Sequence, residues 1–138
     1  MRVLICGSRR WRDVNAVRTA LQDLPKDTVI IHGGDKGADM IVDREARALG
    51  MEVEIWNADR ERFDRRAAAL RDKEVVASGV DKLIVFRRND ISLDVERLTL
   101  FAIRAGVEVV IHTEDKDHPG VTDVLRPRGQ ATETGDAF

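Results

Sequence analysis

An α/β fold, with one five-stranded parallel sheet in the order 3-2-1-4-5 between helices, is what this sequence predicts, and three observations carry the prediction. Short apolar runs alternate with helix-like segments from the first residue to about Thr113, the pattern of βαβ units feeding a parallel sheet. The first two runs, Val3-Leu4-Ile5-Cys6 and Val29-Ile30-Ile31-His32, each leave through a glycine-bearing turn toward a helix. Right-handed crossovers then put strands one, two and three on one side and send the remaining strands to the other side of strand one. The switch point falls between strands one and four, where such sheets open a ligand crevice at their carboxyl ends.

Each element follows from local pattern. Strand one is expected over Arg2–Cys6 and strand two over Thr28–His32, which is β-branched but for its histidine. Between them a helix starts at Asp13, a natural N-cap, with Val14, Val17, Ala20, Leu21 and Leu24 on one face, and Pro25 stops it. A second helix spans Ala38–Leu49, with Gly50 closing its C-terminus. Met51–Trp56 alternates as strand three, and Arg60–Ser78 reads as a long charged helix ending at Gly79. Lys82–Phe86 is strand four and Val107–His112 strand five. The helix between them, about Leu93–Arg104, is apolar nearly all round, so it is either an ordinary internal helix or the surface of a homodimer.

Composition sets the frame. With 138 residues, 43% of them hydrophobic, the chain suits one core-bearing domain, residues 1–113. Residues 114–138, rich in Glu, Asp, Lys, Pro, Gly and Thr, read as a polar tail expected to be flexible, although Val121, Val124 and Leu125 offer a short docking segment. A formal charge of -2, from 23 basic and 25 acidic residues, leaves no electrostatic footprint for nucleic acid. The lone Cys6 sits in an apolar run and fits a reducing compartment. With no signal-peptide h-region and no apolar stretch long enough for a bilayer, the expected location is the cytoplasm, away from membranes. His32, His112 and His118 are scattered, without metal-site spacing, and no cofactor is expected.

The chemistry concentrates in two turns. In the first, Gly7 and Ser8 offer backbone amides and a hydroxyl, and Arg9 offers a bidentate partner for a phosphate or carboxylate. Trp11 either stacks on a base or packs against the first helix. In the second turn Gly33, Gly34 and Gly37 allow close backbone approach and Lys36 reaches for a phosphate, while Asp39 accepts from hydroxyls or caps the helix. His32 enters that turn as a phosphate donor or acid–base group, or as a buried, satisfied side chain. Farther on, Arg71 follows Ala67-Ala68-Ala69-Leu70, whose small alanines let it approach the sheet edge.

These segments, Gly7-Ser8-Arg9 with Trp11 and Asp13, His32-Gly33-Gly34 with Gly37-Ala38-Asp39, Arg71 and the step Ala105-Gly106, give the chain its resemblance to the small stand-alone members of the SLOG superfamily, of the YspA/YpsA-related kind. Wider relatives are the "lonely guy" phosphoribohydrolases and the DNA-processing protein DprA. The resemblance covers about residues 1–112. It implies a Rossmann-like domain that binds a nucleotide or nucleotide-derived phosphorylated ligand, with Gly7, Ser8, Arg9, Gly33, Gly34, Gly37 and Asp39 at ligand-contacting turn positions and Arg71 where such proteins carry an Arg-Asn or Arg-Lys pair, here Arg71-Asp72. Catalytic relatives carry a second glycine-rich phosphate loop and a glutamate after the fourth strand. Here Phe86 to Glu96 contains no glycine, the expected Gly-Thr falls on Asp94-Val95, and Glu96 stands out of register. A sensor or sequestering module is therefore the leading expectation. The alternatives are an N-glycosidic hydrolase of nucleoside monophosphates, with Glu96 or Asp39 stabilising the ribosyl cation, and a protein-interaction scaffold.

Overall fold

The computed structural model describes residues 1–58, 66–89, 92–114 and 121–126. Strands β1 (Arg2–Gly7), β2 (Val29–His32), β3 (Glu52–Ile55), β4 (Lys82–Arg88), β5 (Glu108–Glu114) and β6 (Val121–Leu125) form one sheet in the order β3-β2-β1-β4-β5-β6. The first five are parallel, in the expected order, and β6 pairs antiparallel with β5, Val110 opposite Val124 and His112 opposite Thr122. Helices α1 (Val14–Gln22), α2 (Ala38–Ala48), α3 (Ala67–Ala77) and α4 (Leu93–Arg104) connect the strands.

The sixth strand corrects the expected count of five. Val121, Val124 and Leu125, flanked on both sides by polar sequence, find in β5 an open edge whose amides and carbonyls need partners. Residues 115–120 and 127–138 of the expected tail lie outside the described residues, as do residues 60–65 of the expected long helix. Its described part runs from Ala67 to Ala77.

The central strands are apolar on both faces because both are covered. Val3 and Ile5 of β1 point to one side, into a core with Trp11, Val17, Leu21, Ile30, Val42, Ile84 and Phe86 beneath α1 and α2. Leu4 points to the other, into a core with Ile31, Val75, Leu83, Val85, Leu98 and Ile111 beneath α3 and α4. α1 begins where expected, with the Asp13 carboxylate accepting from the Ala16 amide at 3.0 Å. Along α4, Val95, Leu98, Thr99 and Ala102 are buried, whereas Leu93, Leu100 and Ile103 remain exposed.

Phe86 joins the first core to the carboxyl end of the sheet. It is fully buried, and Trp11 lies against it with ring centroids 5.2 Å apart. Phe86→Ala is expected to destabilise the fold by about 3–5 kcal/mol, through lost burial and the cavity left beside Trp11. Urea denaturation measures it, and a loss below about 1 kcal/mol would show that Phe86 does not anchor this core.

Candidate functional site

A cleft opens at the carboxyl ends of β1 and β2, on the side of the sheet covered by α3 and α4. Gly7 and Arg9 line it from the first turn, Gly33 and Asp35 from the second, Asp39 from α2, Arg71 and Asp72 from α3, and Ser92 and Asp94 from the start of α4. The concavity measures about 570 Å³ including its open mouth, of which about 50 Å³ is open to the centres of water-sized groups.

The two glycine turns are locked to each other. The Ser8 amide donates to Phe86 O at 2.8 Å, and the Ser8 carbonyl accepts from Ala38 N at 3.1 Å and Trp11 N at 3.2 Å. Its hydroxyl accepts from Arg10 N at 3.0 Å. Gly7 fits because a Cβ there would collide with Phe86 O and stand 2.7 Å from the Ala38 Cβ. Gly37, at φ 78°, lies against the Arg9 backbone, a conformation and a proximity that both require glycine.

Two buried acceptors shape the second turn. His32 is 0% exposed. Its Nδ1 accepts from Gly34 N at 3.0 Å, so Nε2 carries the proton that it donates to Asp43 Oδ2 at 2.7 Å. Arg47 Nε holds Asp43 Oδ1 at 2.9 Å, and this hydrogen bond, more than any other contact, keeps the Asp43 carboxyl below its usual range. Asp39, 4% exposed, accepts from Gly33 N at 3.2 Å and Asp35 N at 3.1 Å, both on Oδ2. α2 itself starts at Gly37 with no side-chain cap.

Arg71 closes the floor. Its Nε donates to Asp72 Oδ1 at 3.1 Å, and Nη1 makes longer bonds to Gly33 O at 3.3 Å and Trp56 O at 3.4 Å. A Cβ on Gly33 would stand 2.5 Å from Nη1, so glycine is what admits the guanidinium. Burial pushes Asp72 up against the opposing pull of Arg71, pushes the Cys6 thiol well up, and raises Asp39 to about 6. A thiol so placed is not a nucleophile at neutral pH.

Of the residues singled out in the sequence, Gly7, Arg9, Gly33, Asp39 and Arg71 come together in the cleft. Ser8, Trp11 and His32 do not reach it. Ser8 spends its amide and carbonyl on the interlock, and its hydroxyl accepts from Arg10 N within its own turn. Trp11 is 3% exposed and covered by Phe86, so its indole is a packing group with no ring face left for a base. His32 is the buried, satisfied histidine that the sequence left open. Asp39 ties the turn together and does not cap its helix. Lys36 is exposed beside the cleft, and Gly34 and Gly37 shape the turn behind it. Glu96 pairs with Arg87 at 3.4 Å and does not line the cleft. Asp43 was missed, although it interrupts the apolar face of Val42 and Ala46 one turn after Asp39. A carboxylate on a buried face was the signal to follow.

The model of the YspA, cpYpsA-related SLOG family matches residues 1–63, which include both glycine turns and stop short of Arg71. A protein of Mycobacterium phage D29, bearing the name Gene 61 protein, is 43% identical over 94 residues, spanning 62% of this chain and 75% of the phage protein.

The raised Asp39 has a consequence for stability. Between about pH 4 and pH 6 the folded chain holds a proton there that the unfolded chain has released, so this group makes stability fall as pH rises through that window. Asp43, lowered in the fold, acts in the opposite sense as pH falls. Asp39→Asn is expected to make the slope of Tm against pH more positive between pH 4 and 6. An unchanged slope would show that Asp39 titrates normally.

Proposed function

This chain belongs to the YspA, cpYpsA-related SLOG family, and we propose that it binds a nucleotide or nucleotide-derived phosphorylated ligand in the cleft, as a sensor or sequestering module. The observation that carries this reading is the convergence of Gly7, Arg9, Gly33, Asp39 and Arg71 on one concavity at the switch point of the sheet. Arg9 is exposed at the mouth and makes no ion pair among the described residues, which suits it to an incoming phosphate. Hydrolysis of an N-glycosidic bond has less support, because only Asp39 of the two expected carboxylates lines the cleft.

The ligand reading is tested by thermal denaturation against the four ribonucleoside 5′-monophosphates, the corresponding diphosphates and ADP-ribose. A ligand present at 100 times its Kd adds about 2.7 kcal/mol of stability. Arg9→Ala is expected to weaken binding about tenfold, the worth of one charged hydrogen bond. No Tm shift with any of these compounds would overturn the reading.

No helix among the described residues is long and apolar enough to cross a membrane. The exposed Leu93, Leu100 and Ile103 lie on one stripe of α4, Leu93 at 76% exposure, and support a homodimer formed through that helix. Native mass spectrometry is expected to show a dimer that Leu100→Glu converts to monomer. A wild-type monomer at micromolar concentration would refute the dimer while leaving the ligand reading in place.

A further inference from the structure

The inner cleft is acidic, which is a difficulty for any ligand that enters phosphate first. Asp35, Asp39, Asp72 and Asp94 all line it. Two of the arginines beside them are paired with these carboxylates. Arg71 is held by Asp72 at 3.1 Å, by Asp35 at 3.9 Å and by two backbone carbonyls. Arg97 is held by Asp94 at 2.9 Å and by Asp72 at 3.8 Å. A phosphate and a carboxylate are both acceptors, so neither satisfies the other, and like charges so close repel.

A hydroxyl group meets the opposite situation. It donates to a carboxylate, and a pair of neighbouring hydroxyls on a sugar suits carboxylates presented from two walls of a narrow cleft. Asp39 is held in place from α2 by two amide bonds that fall on one oxygen, Oδ2. Asp94 faces the same space from the first turn of α4. Arg9 lines the same cleft, is exposed, and makes no ion pair among the described residues.

Given the binding reading above, on which this rests, we infer that the ligand enters sugar first. Its vicinal hydroxyls donate to Asp39 and Asp94, and its phosphate stays outside, against Arg9. The site therefore discriminates on the sugar. A ribosyl group fits, a group lacking the 2′ and 3′ hydroxyls forgoes both of these bonds, and free phosphate has no place in the floor.

Calorimetric titration at pH 7.5 tests this with AMP, GMP, CMP and UMP, each against its 2′,3′-dideoxy counterpart, with inorganic phosphate as competitor. The ribose form of whichever monophosphate binds is expected to bind about 30-fold tighter than the dideoxy form, since hydrogen-bonding sites reject analogues that leave buried polar groups unpaired. Asp39→Asn and Asp94→Asn should each shrink that ratio by about fivefold or more. Asp94 is half exposed, so its variant carries the test if the buried Asp39 substitution prevents folding. Equal amounts of inorganic phosphate should not displace the nucleotide. Ribose and dideoxy forms within about threefold of each other, or displacement by inorganic phosphate, would overturn the inference and leave the binding reading intact. Absence of binding by every monophosphate in either sugar form would remove both.

Discussion

The backbone of Ser8 is the point on which the carboxyl end of the sheet depends. Its amide is fixed on β4 through Phe86 O, and its carbonyl is fixed on the start of α2 through Ala38 N. Three chain segments far apart in sequence are thereby held within one residue's reach. Gly7 and Gly37 make that closeness possible, the one by having no Cβ to meet Phe86 and Ala38, the other by a left-handed backbone against Arg9. A side chain at either position would push apart the two turns that form the cleft wall. The interlock explains why residues that look free to serve a ligand are consumed by structure.

The second turn is held by a different kind of force, buried polar acceptors. His32 and Asp39 both lie under the turn and take its amides, and Asp43 with Arg47 fixes the imidazole tautomer from behind. Buried polar groups tolerate this only when each donor has its acceptor. The cost appears in Asp39, whose carboxyl burial raises to about 6 although two amides favour its charged form. Arg71 extends the same network to α3, since its guanidinium bonds Gly33 O and Asp72 together. The cleft is thus a slot lined by Asp35, Asp39, Asp72 and Asp94 together with Arg9 and Arg71.

Much of the architecture could be read directly along the chain. The order of the five parallel strands follows from crossover handedness and from the alternation of apolar runs with helical segments. Asp13 as an N-cap and Pro25 as a stop needed only neighbouring residues to be recognised. The edge strand Val121–Leu125 was harder, since a five-residue strand gains its stability from β5 and not from its own sequence. The candidate site was legible as two turns and one arginine. Its carboxylates were less so, because Asp72 and Asp94 look like ordinary charges on exposed helices until α3 and α4 are set side by side over the sheet.

Periodicity, turn chemistry and motif spacing are local properties, and they are enough for the fold, the place of the cleft and the family to which the chain belongs. Tertiary structure alone decided the fate of each polar group. Trp11 became core because Phe86 faces it, His32 became an acceptor because Asp43 and Gly34 flank it, and Glu96 turned to Arg87 instead of the cleft. Burial and hydrogen-bond partnership are set by segments distant in sequence, and they decide whether a side chain with the right chemistry is free to use it.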